Sequence, residues 1–310
     1  MKYLVTGGAG FIGSNIVKEI LNRGETVRVL DNFSTGKREN ILGFIDNPNL
    51  ELIEGDLQSF HTVRDSVKGV EYILHQGALP SVPRSIKDPI TTNNVNILGT
   101  LNILEAAKEF NVKRVVCASS SSIYGNSKTL PKVETMAISP LSPYALSKFA
   151  QEKYSQIYYE LYGLETVCLR YFNVFGPNQD PTSQYSAVIP KFIISIKNNK
   201  SPIIHGDGLQ SRDFTFVSNN VEANLLACTS KKATGEVFNI ACGDSFTLIE
   251  LVEGINKIMG KNIKPIFEKN RVGDVKHSMA DINKIKEIMN YKVNCTFIEG
   301  LKKTIEFFTK

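Results

Sequence analysis

TGGAGFIG, residues 6 to 13, decides how this chain is read. It follows a β-branched run, KYLVT at 2 to 6, and opens an amphipathic stretch, FIGSNIVKEILNRG, that stops at Gly24. It satisfies GxGxxG through Gly8, Gly10 and Gly13, and GxxGxxG through Gly7, Gly10 and Gly13. Positions without side chains let a backbone turn tightly and bring N–H groups to a pyrophosphate at the positive end of a helix. Glycine clusters also serve ordinary turns, but the strand-loop-helix setting marks this one as dinucleotide-binding, with Gly7, Gly10, Phe11, Ile12 and Gly13 at the phosphates.

Outward from the loop, short β-rich runs alternate with longer amphipathic ones: TVRVL at 26 to 30, LELIE at 50 to 54, VEYILH at 70 to 75, KRVVCA at 113 to 118 and ETVCLR at 165 to 170. Such alternation predicts βαβ units in an α/β fold, a doubly wound parallel sheet with helices on both faces. After residue 171 the pattern loosens into Pro- and Gly-containing stretches, a helical VEANLLACTS and a strand-like EVFNIACG. We expect a nucleotide-binding domain over 1–170, rejoined by the chain at about 214–242, and a smaller α/β substrate domain made mainly from 171–310.

The bulk composition excludes several classes. The chain has 310 residues, 42% of them hydrophobic, enough for one large core or two smaller ones. Its 36 basic and 31 acidic residues give a net charge of +5 without the basic blocks of a nucleic-acid surface. Five well-separated cysteines form neither a CxxC pair nor an even set, so neither a disulfide framework nor a metal site is expected. No run approaches the roughly 20 apolar residues of a membrane span, and the amino-terminal run is too short for a signal peptide. A soluble cytoplasmic protein is expected.

Asp31 ends the second strand, where a carboxylate accepts from an adenosine ribose and repels a 2′-phosphate. That favours NAD; Lys37 and Arg38 leave NADP open, and a turn cap shared with Asn32 is the other reading of Asp31. Asp56, after the third strand, either meets the adenine or caps the next turn.

SPYALSK, residues 142 to 148, places Ser142 as a helix N-cap and Pro143 in the first turn, so Tyr144 and Lys148 share one face. A free tyrosine with a pKa of about 10 is only about one part in a thousand ionised at pH 7. Lowering it by about three units takes roughly 4 kcal/mol, which a nearby ammonium helps to supply. Such a pair also arises by chance, as a core tyrosine beside a solvated lysine. ASSSSIYG, residues 118 to 125, adds hydroxyls at the carboxyl edge of the sheet, where open α/β folds bind ligands, and Ser120 is placed to share a proton.

With TGGAGFIG, Asp31, SSSSIYG, YALSK, RYFNVFGP and GDGLQSRDF in this order, the sequence resembles the extended short-chain dehydrogenase/reductases over nearly its whole length. Within them it is most similar to UDP-hexose 4-epimerases, and HQGALPSVPRSIKDPITTN, PLSPYALSK and RYFNVFGPNQDP look like the subgroup acting on UDP-N-acetylhexosamines. The resemblance implies a Rossmann domain and a tightly bound NAD regenerated in each cycle. It implies Tyr144 as general base, Lys148 on the nicotinamide ribose and Ser120 assisting. Cofactor contacts would extend to Asn32, Ser34, Asp56, Leu57, Gln76, Gly77, Ala78, Asn93 and Tyr171. A UDP-sugar would meet Ser81, Arg84, Ser121, Ser122, Asn173, Val188, Arg212, Arg271, Asp274 and Ser278.

In epimerases restricted to UDP-glucose and UDP-galactose a tyrosine commonly stands where this chain has Ser278, so room for an N-acetyl group is expected without rejection of the plain hexoses. Gly77 and Pro80 depart from the usual alanine and glycine in the loop over the nicotinamide. A homodimer through helices near 94–110 and 144–162 is implied. Dehydratases of this fold carry an acid pair where Ser121 and Ser122 stand, which argues against dehydration. UDP-glucuronate epimerisation or decarboxylation, and a non-enzymatic NAD-binding regulator, are the alternatives.

Overall fold

The computed structural model describes residues 1–182, 188–269 and 276–310. In chain order the first half runs β1 (Lys2–Thr6), α1 (Phe11–Asn22), β2 (Thr26–Asp31), α2 (Glu39–Leu42), β3 (Leu50–Glu54), α3 (Phe60–Val67), β4 (Tyr72–His75), α4 (Val82–Lys87) and α5 (Pro89–Asn93). A π-helical turn (Asn94–Leu98), α6 (Gly99–Glu109), β5 (Arg114–Ser120), a 3-10 turn (Ser121–Tyr124), α7 (Pro143–Tyr162) and β6 (Thr166–Tyr171) follow.

The second half comprises β7 (Val174–Phe175), α8 (Val188–Lys197), β8 (Ile203–His205), β9 (Ser211–Arg212), β10 (Thr215–Phe216), α9 (Val217–Thr229) and β11 (Val237–Ile240). It ends with β12 (Phe246–Thr247), α10 (Leu248–Met259), β13 (Ile266–Glu268), β14 (His277–Ser278), α11 (Asn283–Met289) and α12 (Phe297–Thr309).

Among the described residues seven strands form one sheet in the order β3-β2-β1-β4-β5-β6-β11, parallel at every pairing. Chain order reverses between β1 and β4, so a crevice opens beyond their carboxyl ends, the place where doubly wound sheets take ligands. Strand alternation divides the core in two. Val5, Val29, Leu74, Val116 and Leu169 face α1 and α9, while Leu4, Leu30, Ile73, Cys117 and Cys168 face α3, α6 and α7.

The helix that matters most, α7, is well punctuated. Ser142 accepts the Ala145 N–H at 3.1 Å, Pro143 occupies the first turn, and Gly163 closes the helix at φ +68°. The second half of the chain also forms the small sheets β12-β9-β14, β8-β13 and β7-β10. Phe214 and Phe246 stack on Phe297 of α12, with centroids 5.5 and 4.2 Å apart, and Phe175 meets it edge-on, so this cluster seats the carboxyl-terminal elements.

Candidate active site

Gly7 turns out of β1 at φ +66°, and a Cβ there would lie 2.8 Å from the Gly77 backbone. A Cβ on Gly13 would stand 2.1 Å from the Gly7 carbonyl, so only glycine lets α1 approach the strand this closely. Gly10 caps α1 without any side-chain hydrogen bond to its first-turn N–H groups, and no acid lies in that turn. A helix start left uncapped in this way fits a pyrophosphate, which supplies acceptors and negative charge together.

Asp31 is buried at the end of β2; its two oxygens accept the N–H groups of Ala9 and Phe33 at 2.9 and 2.8 Å. Burial raises its pKa and these bonds lower it. The carboxylate thus braces the glycine loop while keeping further lone pairs for hydroxyl donors. Asn32 donates to Asp56 at 2.8 Å, and Asp56 also accepts the Gln58 N–H at 2.8 Å, so this acid does cap the turn before α3. Leu57 is buried beside it and Ser34 is exposed. The two cations that left NADP open are both engaged: Lys37 pairs with Asp180 at 3.0 Å, and Arg38 pairs with Glu54 at 2.6 Å and lies 4.0 Å over the Phe33 ring.

Across the crevice, Gln76 accepts from Tyr171 and donates to Asn224, both at 3.0 Å, while Asn224 donates to the Tyr171 oxygen at 2.7 Å. This ring ties β4, β6 and α9 at the sheet edge. Gly77 is held by Thr6 at 3.0 Å, and Leu79 by Asn96 at 2.8 Å, which positions Ala78 between them. Ser81 caps α4 at φ 112°, a region L-residues rarely adopt and whose strain costs about 1–3 kcal/mol. Arg84 and Asn93 are exposed, on α4 and at the end of α5.

At the end of β5, the Ser120 oxygen accepts the Ser122 N–H at 3.2 Å and the Ser122 hydroxyl at 2.9 Å, and α7, which carries the Tyr144 phenol in its first turn, packs against this stretch. Burial pushes that phenol above its ordinary value while Ser120 pulls it down. Lys148 is buried one turn on, donating to the Ala118 carbonyl at 2.7 Å and to Gln151 at 3.1 Å; burial lowers it to about 8. Ser121 begins the 3-10 turn that follows.

The substrate side is partly described. Asn173, at φ +35°, reaches the Asp213 carbonyl at 3.2 Å and Ser278 at 3.5 Å, and Arg212 donates to the Ser211 and Lys276 carbonyls. Asn173, Arg212 and Ser278 therefore gather where β9 and β14 meet the end of β6. Val188 opens α8, partly buried against the same core. Arg271 and Asp274 lie outside the described residues. No cluster of three potential metal-ligating side chains, and no helix long and apolar enough to cross a membrane, occurs among the described residues.

Residue-by-residue motif reading missed Asn96, Asn224 and the buried pair Arg170–Glu152, bonded at 2.9 and 3.0 Å. The signal for Asn96 was available: it shares the inward stripe of Thr100, Ile103 and Ala107, where a polar residue calls for a buried partner.

A doubly wound sheet with this loop, this acid and a tyrosine–lysine pair at its carboxyl edge defines a dinucleotide-binding α/β enzyme. Within that class the chain belongs to the NAD dependent epimerase/dehydratase family, whose model matches residues 3–241, and NAD is its cofactor. It is 39% identical over 306 residues to a putative UDP-glucose 4-epimerase of Methanocaldococcus jannaschii, covering 98% of this chain and 97% of that one. Among solved structures it is similar to UDP-N-acetylglucosamine 4-epimerase from Methanobrevibacter ruminantium in complex with UDP-N-acetylmuramic acid, with TM-score 0.95, 41% identity and coverage of 99% and 98%. It is also similar to UDP-glucose 4-epimerase from Thermus thermophilus in complex with NAD, with TM-score 0.90, 34% identity and coverage of 100% and 99%.

Proposed function

We propose that this protein is a UDP-hexose 4-epimerase that accepts UDP-N-acetylglucosamine and UDP-N-acetylgalactosamine as well as UDP-glucose and UDP-galactose. The observation that carries the reading is Lys148, buried one turn along α7 from Tyr144 and donating to the Ala118 carbonyl at 2.7 Å, just before Ser120 at the end of β5. Relatives named as 4-epimerases of both sugar classes support it. The chemistry that bound NAD supplies is reversible hydride uptake at C4.

Tyr144 takes the O4 proton in one direction and returns it in the other, with Ser120 sharing it and Lys148 favouring phenolate by its charge. The 4-keto sugar turns about its diphosphate and is reduced on its other face. Asn173, Arg212 and the undescribed Arg271 and Asp274 hold the UDP half, and Ser81, Ser121, Ser122 and Ser278 border the sugar. The small Ser278 side chain leaves space for the N-acetyl group. Gln76 to Ala78, Asn93 and Tyr171 line the nicotinamide half of the cofactor site; Asn32, Ser34, Asp56 and Leu57 line its adenine end.

A homodimer acting in the cytoplasm belongs to the same proposal. Ile86 and Ile90 on α4 and α5, Leu98 on the π turn, and Leu146 and Leu161 on α7 expose apolar surface on neighbouring helices, Ile90 and Leu161 at 73% and 70%. A second copy would cover them.

The test is to incubate the purified protein, without added cofactor, with UDP-N-acetylglucosamine, UDP-glucose or UDP-glucuronate and follow products by proton NMR. Conversion of the first two to their galacto epimers is expected. Reaction of UDP-glucose alone would remove the pocket reading, and reaction of UDP-glucuronate alone would move the assignment to acidic sugars.

A further inference from the structure

His75 closes β4 as a buried ring with a hydroxyl on each nitrogen: Thr6 Oγ1 lies 2.7 Å from Nδ1, and Thr100 Oγ1 lies 3.0 Å from Nε2. Each hydroxyl has a second partner. The Gly77 N–H donates to Thr6 Oγ1 at 3.0 Å, and Thr100 Oγ1 donates to the Asn96 carbonyl at 2.6 Å. Thr6, Thr100 and Asn96 are as buried as the ring, so each proton has to find its acceptor inside this group.

A hydroxyl carries one proton, and that count selects one arrangement. Thr100 Oγ1 and the Asn96 carbonyl are two oxygens 2.6 Å apart, so the threonine proton lies between them. Thr100 then has none to give to the ring and accepts from Nε2–H instead. Nδ1 is left bare and accepts the Thr6 hydroxyl, whose oxygen receives the Gly77 N–H. The opposite tautomer would set Nε2 and the Asn96 carbonyl in competition for one proton and leave the buried Thr6 proton without an acceptor, at about 1–3 kcal/mol. An imidazolium would strand that same proton and bury a charge as well. Burial, with Lys148 adding to it, lowers the ring's pKa to about 3.

We propose that His75, as its Nε2–H tautomer, is a positioning residue that joins the two supports of the loop over the nicotinamide and ties them to the helix of Tyr144. The proposal rests on the reading of Gln76 to Ala78 and Tyr144 as parts of the catalytic site. One support is Thr6 on β1, which holds Gly77. The other is Asn96 in the π-helical turn, whose side chain holds both backbone groups of Leu79 and donates to Ser147, which bonds the Tyr144 carbonyl. Every bond in the run from the Gly77 N–H to the Asn96 carbonyl points the same way, so no member can reverse without stranding its neighbour. The ring acts through these backbone groups, by fixing where Gly77 and Leu79 stand relative to Tyr144.

The tests use the NAD-loaded protein. The chain has four histidines, so nitrogen NMR of histidine-labelled protein reads the tautomer directly, with substitutions of His61, His205 and His277 identifying the remaining ring. From about pH 5 to about pH 8 His75 should keep a protonated Nε2 and a bare, hydrogen-bonded Nδ1. A protonated Nδ1, or a ring that charges in this range, overturns the proposal. NAD release on dilution is then compared among His75→Gln, whose amide leaves Thr6 without its acceptor, Asn96→Ala and the double variant. Both single variants should release NAD faster, and the double variant by clearly less than the product of their effects. Effects that multiply, or a His75→Gln rate equal to the wild type, overturn the joining role. In turnover, His75→Gln should lower kcat by about tenfold with KM for the UDP-sugar nearly unchanged. A lower urea midpoint with kcat intact would make the ring structural only. Absence of UDP-sugar turnover in the wild type would defeat the epimerase reading, while the spectra and NAD release would still decide the role of His75.

Discussion

The side-chain amide of Asn96 grips the backbone of Leu79 at both ends, accepting from its N–H at 2.8 Å and donating to its carbonyl at 3.3 Å. It also donates to Ser147 at 3.0 Å, whose hydroxyl bonds the Tyr144 carbonyl at 2.8 Å. The strained loop at Ser81 and the helix of the tyrosine are thereby one unit.

Asn96→Ala should strand both Leu79 backbone groups and cost about 2 kcal/mol or more, read as a lower urea midpoint. The loop would loosen over the nicotinamide, so NAD should leave faster on dilution. Unchanged NAD release would show that the loop is held by other contacts.

Tyr144→Phe keeps the ring and deletes the hydroxyl proposed to accept the proton. Turnover should fall by about 10³-fold while calorimetry finds UDP-sugar affinity nearly unchanged. Near-normal turnover would remove Tyr144 from the role of base.

Ser278→Tyr fills the space assigned to the N-acetyl group. The preference for UDP-N-acetylglucosamine over UDP-glucose, as a ratio of kcat/KM, should drop by about tenfold or more. An unchanged ratio would place the acyl group elsewhere.

His75 carries a pH signature in stability. In the fold it stays neutral down to about 3, against 6.5 for a free ring, so only the unfolded chain binds that proton in between. Stability is therefore full above pH 6.5 and falls as pH drops towards 3, by an amount on the order of several kcal/mol. In His75→Gln the urea midpoint should fall less between about pH 7 and about pH 4 than in the wild type. Parallel curves would rule the ring out as the source.

Local chemistry made much of this molecule readable in advance. The glycine loop, the alternation of strand and helix, Asp31 at a strand end, and Ser142-Pro143 opening the helix of Tyr144 and Lys148 all depend on neighbours within a turn or a strand, where spacing is geometry. The two readings of Asp56 needed the coordinates, because a cap and a ligand contact use the same residue type at the same place.

Sequence by itself determined the class of sheet, the cofactor loop and the hydroxyl–tyrosine–lysine trio, since each is written in a stretch short enough to carry its own geometry. Tertiary structure alone decided the rest: β11 beside β6, Lys37 and Arg38 given to Asp180 and Glu54, and Asn96 on Leu79. These join residues from 16 to 143 positions apart, and no local pattern reveals which distant partner satisfies a charge or an amide once water is excluded.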